Sequence, residues 1–176
     1  LLDGPVQFDR LLIPRRISPL FGVAGPAWLR MMQRAGDHMM AVAGATEPGT
    51  RAARIFLSRA RLPEGSSRFM GRAVEDRLDA LFAARGFRIV HPQEIPMGAQ
   101  VALVRGAAVV AGCIGSALHL IAFNDRAPAG SGVHLFRLRP SFFDLGVDHE
   151  IARGLGGTLT DFVVEAEREE GVPMND

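Results

Sequence analysis

The sequence predicts an α/β fold, a Rossmann-like parallel sheet with flanking helices. From residue 51 onward, short apolar runs alternate with amphipathic stretches, and this alternation is typical of strands that are separated by helices. Such strands pair in parallel through right-handed crossovers. The chain has 176 residues and 48% hydrophobic content, so it is long enough to bury one sizeable core.

The first part of the chain is irregular, and we assign residues 1–49 to the end of a preceding lobe or to a linker. A short strand is predicted at 8–14, and a predicted helix at 26–40 has a proline near its first turn. Residues 43–49 contain a proline and two glycines, which is typical of a linker. We therefore expect a Rossmann-like domain with C-terminal helices that comprises residues 50–176. The sequence does not begin with Met, which suggests a segment of a longer protein.

The order of elements after the linker follows from hydrophobic periodicity. Four apolar runs predict core strands at 53–58, 87–91, 107–111 and 133–138. The stretches between them predict helices at 72–85, 97–105 and 116–123, and residues 144–170 predict one or two helices that pack back on the sheet. One face of the first of these helices is predicted to be apolar through Val74, Leu78, Leu81 and Phe82. Gly86 is placed as its C-terminal stop.

Composition and charge exclude several classes of protein. The 20 basic and 19 acidic residues nearly balance, so we expect no nucleic-acid or membrane-surface partner. All the basic residues are arginines, and because Lys is absent everywhere we attribute this to composition bias. Cys113 is the single cysteine, which excludes an internal disulfide. No apolar stretch reaches the ~20 residues of a membrane span, and the start lacks a signal-peptide pattern, so a cytoplasmic protein is expected.

Candidate ligand-binding residues follow the predicted strands, because ligands of open parallel sheets bind at the carboxyl ends of the strands. The best placed segment is 112–116, where Gly112 and Gly115 let the backbone approach a phosphate. The amides of Ser116 and the helix that it begins would present positive partial charge to that phosphate. Tight packing between a strand and a helix is the alternative explanation for such a turn.

The other candidates lie after the first and second strands. Arg59 is placed to meet a diphosphate, with a solvated loop arginine as the alternative. Arg68 lies in the following Gly-, Ser- and Pro-containing loop, which can fold over a ligand, and ordinary surface charge is its alternative explanation. Glu94 can bond ribose hydroxyls, and His91 can serve acid–base chemistry or have no role. The remaining histidines do not pair with Cys, Asp or Glu at a ligand spacing, so no metal is predicted. Neither a nucleophile elbow nor a phosphate-binding P-loop motif is present.

Three of these segments, 55–59, 86–92 leading to Gln100, and 109–123, together resemble glycosyltransferase family 61. That family includes bacterial capsular-polysaccharide-type transferases and eukaryotic xylosyl- and N-acetylglucosaminyltransferases. The resemblance covers about residues 53–138. It implies a two-lobed GT-B fold, of which this chain would supply the C-terminal, nucleotide-sugar-binding lobe.

The resemblance also implies an activity, which is inverting, metal-independent transfer of a hexosyl or pentosyl group to a glycan or polysaccharide acceptor. In that family frame, Arg59 would neutralise the diphosphate, Gly115 and Ser116 would offer amides to it, and Gln100 would belong to the nucleotide side. The nucleotide sugar would be a co-substrate, and no cofactor is implied. The catalytic base stays unassigned, and a homo-oligomer stays open.

Three positions depart from the family pattern. Ile114 stands where a histidine usually precedes the glycine, and Val74 and Leu120 stand where asparagines are usual. These polar-to-apolar changes support an alternative, a degenerate, non-catalytic homologue that acts as a binding or partner module. A generic dinucleotide-binding domain ranks third, because residues 58–61 replace the glycine fingerprint after the first strand.

Overall fold

The computed structural model describes residues 25–45, 54–66, 71–124, 134–140 and 146–164. Within these ranges the strands are β1 (Arg54–Leu57), β2 (Arg88–Val90), β3 (Val109–Cys113), β4 (His134–Pro140) and β5 (Thr158–Val164). The α-helices are α1 (Pro26–Val42), α2 (Arg72–Ala83), α3 (Met97–Val104) and α4 (Val147–Gly154), and two 3₁₀ helices span Pro92–Glu94 and Leu118–Phe123. None of the helices in the described ranges has the length and apolar character needed to cross a membrane.

The five strands form one sheet in the order β2-β1-β3-β4-β5, and every neighbouring pair is parallel. Strand β1 lies between β2 and β3, with Leu57 opposite both Val90 and Gly112. The chain moves from β1 to one side of the sheet and then returns to build the other side, so a topological switch point lies between β1 and β3. The predicted α/β class, a Rossmann-like parallel sheet with flanking helices, is confirmed.

Both faces of the sheet carry apolar side chains, because successive strand residues point to opposite faces. On one face, Leu57 and its neighbours pack with α1, α3, α4 and the 3₁₀ helix Leu118–Phe123. On the other face, Phe56 stacks on Phe82 of α2 with ring centroids 4.1 Å apart. Helices on both faces are what a parallel sheet requires, since its strands lack a solvated face.

Helix α1 is fastened to this core by Arg105, which is only 2% exposed. Its guanidinium donates to the Gln33 carbonyl at 2.7 Å, to the Phe123 carbonyl at 3.3 Å, and to the carboxylate of Asp37. A side chain at Gly98 of α3 would collide with the α1 backbone, so the two helices approach closely. Part of the predicted 1–49 segment therefore packs in the same core as the sheet, and the division at residue 49 stays a prediction. The strand predicted at 8–14 lies outside the described residues.

Two predicted elements differ from the structure near the end of the chain and after β3. Residues 144–170 were expected to be helical, but α4 is short and β5 follows it as a fifth strand. Glycines after α4 end the helix, and the β-branched and aromatic residues that follow favour a strand. The helix expected at 116–123 is instead the 3₁₀ helix Leu118–Phe123, and β3 ends at Cys113, two residues later than predicted.

Helix α2 is rotated relative to its predicted apolar face. Val74 and Leu81 are each 45% exposed, whereas Glu75 is fully buried beside Phe82 on the face that meets the sheet. The stacking of Phe82 on Phe56 fixes this rotation. The prediction was wrong in this respect because an apolar count cannot anticipate a buried carboxylate.

Candidate functional site

A cavity of about 440 Å³ opens at the carboxyl edge of the sheet, at the switch point between β1 and β3. Its volume is within the usual range for small-molecule sites. Its lining comes from the residues that follow β1, from the segment between β2 and α3, and from the start of the 3₁₀ helix after β3. The lining residues are Ser58, Arg59, Leu62, Ser66, Pro92, Gln93, Met97, Gln100, Ser116, Ala117 and Leu120.

Arg59 supplies the positive charge among these lining residues. It is half-buried, and its Nη2 donates to the carbonyl of Cys113 at 3.1 Å and to the carbonyl of Ile114. Both acceptors lie where β3 ends, so the guanidinium leans from the end of β1 toward the end of β3. Because an arginine keeps its charge at all ordinary pH values, this contact fixes a cation at the β3 side of the cavity.

Gln100 lines the cavity from α3 and holds the loop in front of it. Its Nε2 donates to the Pro92 carbonyl at 2.8 Å and to the Ile95 carbonyl at 2.9 Å. These two bonds close the 3₁₀ turn Pro92–Glu94 and the residue that follows it. The wall formed by Pro92, Gln93 and Met97 therefore depends on the Gln100 amide for its shape.

The two glycines predicted near the end of β3 lie in two different settings. Gly112 is a strand residue, and a side chain there would come within 3.0 Å of Leu118 and 3.3 Å of the Leu57 carbonyl. The prediction that Gly112 lies in the turn was wrong; tight packing of the 3₁₀ helix on the strand accounts for this glycine. Gly115 is in the turn, with a φ of 146° that favours glycine. Ser116 follows it and lines the cavity.

The structure brings Arg59, Gln100 and Ser116 to one cavity, as the sequence predicts, with Gly115 adjacent in the chain. Glu94 is not part of the lining: its side chain is 55% exposed and lies 3.9 Å from Arg61. Arg68 lies outside the described residues. The binding role of each of these residues stays a prediction.

The apolar part of the lining was not foreseen. Leu62, Met97 and Leu120 sit on three different segments, and no local pattern in the sequence brings them together. Leu120 belongs to the buried core and also lines the cavity. Only the strand order, which places the ends of β2, β1 and β3 side by side, could have indicated this wall.

Cys113 is the last residue of β3, directly before the same turn, and its thiol is a poor nucleophile. Burial raises the pKa of its thiol to about 11; Arg59 lowers that pKa, whereas Glu75 and Asp79 raise it. A thiol with so high a pKa stays protonated at neutral pH, and only the thiolate is an effective nucleophile. Cys113 is therefore a core residue. Its pKa responds to Arg59 and to the carboxylates of Glu75 and Asp79 on α2, so these three charged groups lie near it.

A second polar cluster lies at β4, β5 and α4, and in it arginines of β4 donate hydrogen bonds to carboxylates of α4 and β5. Arg137 is fully buried; its Nε and Nη2 donate to Asp161 at 2.7 and 2.9 Å, and its Nη1 donates to Asp148 at 3.0 Å. Arg139 donates to the same Asp161 at 2.9 Å. The hydrogen bond from Arg137 lowers the pKa of Asp161 to about 2, although burial acts in the opposite sense. Burial also opposes the charge of Arg137, but the two carboxylates outweigh it and hold the Arg137 pKa above its usual value.

Comparison with known families locates the cavity within a matched region. A family model described as Glycosyltransferase 61 matches residues 2–134, which is well over half of the chain. The match includes every residue that lines the cavity and ends where β4 begins. No curated protein and no solved structure shows a match to the chain.

Proposed function

Because the chain belongs to the glycosyltransferase 61 family, we propose that it binds a nucleotide-sugar donor in this cavity and transfers the sugar to a glycan or polysaccharide acceptor. One observation carries the proposal: a charged arginine, Arg59, is fastened beside a cavity at the switch point of a parallel sheet. Switch points are where open α/β sheets bind nucleotides. Glycosyl transfer from a nucleotide sugar also needs positive charge where the diphosphate leaves.

In the proposed complex the diphosphate lies at the β1 and β3 side of the cavity. Arg59 is oriented there by the two backbone carbonyls at the end of β3, and charge-assisted hydrogen bonds to phosphate oxygens are the strong ones. Ser66 and Ser116 line the same cavity and carry hydroxyl donors. These groups would stabilise the charge of the leaving diphosphate in place of a metal ion, which makes the reaction metal-independent.

We propose an inverting, single displacement. An acceptor hydroxyl attacks the anomeric carbon of a hexosyl or pentosyl donor, the bond to the diphosphate breaks with its electron pair on the phosphate oxygen, and a base takes the hydroxyl proton. Among the described lining residues there is no carboxylate or imidazole. The base would therefore come from the other lobe of a GT-B arrangement, in which this chain forms the C-terminal lobe. A bacterial, cytoplasmic setting belongs to the same proposal and rests on the sequence alone.

A second candidate is a homologue that binds the nucleotide and does not transfer the sugar. Two observations favour it. Leu120 presents an apolar side chain to the cavity, and Ile114 contributes its carbonyl to Arg59 without lining the cavity. Neither side chain then gives the leaving diphosphate a hydrogen-bond donor.

The two candidates are separated by measuring binding and turnover on the same full-length protein. Nucleoside diphosphates and nucleotide sugars are screened for a rise in melting temperature, because a ligand that binds the native state stabilises it by mass action. Donor hydrolysis and sugar transfer are then measured with and without a chelator. Transfer that survives the chelator supports the enzyme, and binding without turnover supports the binding module. A screen with no shift for any nucleotide would overturn both.

A further inference from the structure

Two carboxylates of helix α2 lie close to the carboxyl edge of the sheet. Because α2 joins the parallel strands β1 and β2, it runs back toward the amino edge, and its first turn lies at the carboxyl edge. Phe82 near the end of α2 stacks on Phe56 of β1. Glu75 and Asp79 precede Phe82 by seven and three residues. A helix rises about 1.5 Å per residue, so they lie about 10 Å and about 5 Å nearer to that edge than Phe82.

A similar distance along β1 leads to Arg59. This residue lies three positions beyond Phe56, and a strand rises about 3.3 Å per residue, so Arg59 is about 10 Å nearer to the carboxyl edge than Phe56. Since Phe56 and Phe82 are in contact, the α2 carboxylates are level with Arg59 and with the end of β3 that accepts its hydrogen bonds. They lie on the sheet face opposite to the one on which α3 packs.

Both carboxylates are withdrawn from water on that face. Glu75 is fully buried, and Oδ1 of Asp79 is buried and accepts no hydrogen bond within the described ranges. The Cys113 thiol responds to both charges: burial is the main cause of its raised pKa, Arg59 lowers that pKa, and the two carboxylates raise it further. Negative charge therefore acts on the end of β3 from the α2 face, and salt screens buried charges much less than exposed ones.

An anion beside Arg59 consequently meets two opposing electrostatic fields. The guanidinium attracts the anion, and the α2 carboxylates on the other face of the sheet repel it. A unit charge about 10 Å away, at an effective dielectric constant of about 20, changes the affinity for an anion by roughly tenfold. A transferase has to release its nucleoside diphosphate product, and product release often limits turnover.

We propose that Asp79 and Glu75 are a counter-charge to Arg59, which weakens the binding of a diphosphate in the cavity and speeds the release of the nucleoside diphosphate product. This inference rests on the proposed function, because it requires the diphosphate to lie on Arg59. The two carboxylates act on the ligand through space and do not touch it, so neither is a catalytic residue.

The test neutralises Asp79 and keeps its shape. In Asp79→Asn, equilibrium binding of inorganic pyrophosphate and of UDP to the full-length protein should tighten roughly tenfold. Asp76→Asn makes the same charge change at an exposed position of the same helix, and it should change either affinity by less than about twofold. A variant that only loosened the fold would bind more weakly, so a gain in affinity is specific to the removed charge. Glu75→Gln should act in the same direction as Asp79→Asn.

The affinities of Asp79→Asn separate the inference from the function beneath it. Unchanged or weaker binding of pyrophosphate and UDP in this variant would overturn the counter-charge and leave nucleotide binding in place. If melting temperatures show that Glu75→Gln does not fold, Asp79→Asn decides alone, since Asp79 is only partly buried. Absence of binding by pyrophosphate, UDP, CDP, GDP and ADP alike, in the unmodified protein and in Asp79→Asn, would remove the proposed function and the inference with it.

Discussion

Two arginines near the carboxyl edge of the sheet differ in their burial and in the groups that accept their hydrogen bonds. Arg137 is fully buried and meets two carboxylates, so its charge is neutralised inside the fold. Arg59 is half-buried beside a cavity, and it donates to two backbone carbonyls at the end of β3, which orient its guanidinium. One arginine therefore serves packing in one half of the sheet, and we propose that the other serves ligand recognition in the other half. The family match covers the half that contains Arg59 and ends at β4.

The largest effect should come from removing the buried cation. Arg137→Met leaves Asp148 buried without its positive partner, and breaking such a pair from one side commonly costs about 3 to 5 kcal/mol in the free energy of unfolding. Urea unfolding measures the loss. Arg88→Met, at an exposed position on β2, is the matched control and should change the value by less than about 0.5 kcal/mol. A loss below about 1 kcal/mol in Arg137→Met would contradict the structural role of this cluster.

Removing the side chain of Arg59 should change the stability of the fold little and should slow sugar transfer. Arg59→Ala is expected to lower the rate of transfer about 100-fold or more, because one donor to a developing charge is worth about 3 kcal/mol in the transition state. Its free energy of unfolding should change by no more than about 1 kcal/mol. Arg61→Ala, two residues later in an exposed loop, is the control for charge alone. Undiminished transfer in Arg59→Ala would show that the diphosphate lies elsewhere.

The Asp161 carboxylate should make the free energy of unfolding sensitive to acid. The pKa of Asp161 falls from 3.8 to about 2 on folding, chiefly through the hydrogen bond from Arg137. A pKa that is lower in the folded state stabilises the fold above the unfolded value, so about 2 kcal/mol is present at neutral pH and is lost between about pH 4 and pH 2.

Asp161→Asn removes this component. Unfolding in urea at a series of pH values should show the variant less stable than the unmodified protein above pH 4, and the difference should shrink as the pH falls toward 2. A difference that is constant across the series would mean that Asp161 acts through its shape and not through its charge.

The sequence predicted the parallel sheet well because its signal is local. Each of β1, β2 and β3 is a short apolar run, and the helices between them force parallel pairing. The fifth strand was missed because Asp161 interrupts its apolar pattern, and that aspartate is held by Arg137 and Arg139 on the neighbouring strand. The burial of Glu75 was missed because hydrophobic periodicity predicts the positions of apolar residues and does not anticipate a buried carboxylate.

The sequence predicted the location of the candidate site better than it predicted the hydrogen bonds of its residues. Placement after strand ends grouped Arg59 with Ser116, the family resemblance added Gln100, and all three line the cavity. The side chains of Arg59 and Gln100 are oriented by hydrogen bonds to backbone carbonyls up to 55 residues away. Every residue type carries a backbone carbonyl, so the sequence does not indicate which carbonyls accept these bonds. Glu94 was grouped with them because it follows the second predicted strand, but it lies in a 3₁₀ turn with its side chain largely exposed.

The smallest effect should come from restoring the family histidine at position 114. Ile114 holds Arg59 through its carbonyl, which any residue supplies, and its side chain does not line the cavity. A histidine there would sit behind the guanidinium and add at most a distant donor, so Ile114→His is expected to raise the rate of transfer by less than about tenfold, or about 1.4 kcal/mol. Transfer kinetics of Ile114→His beside Ile114→Gln measure it, since Gln adds a polar group without an imidazole. A gain of 100-fold or more would place position 114 inside the working site and show that the cavity reshapes around the bound donor.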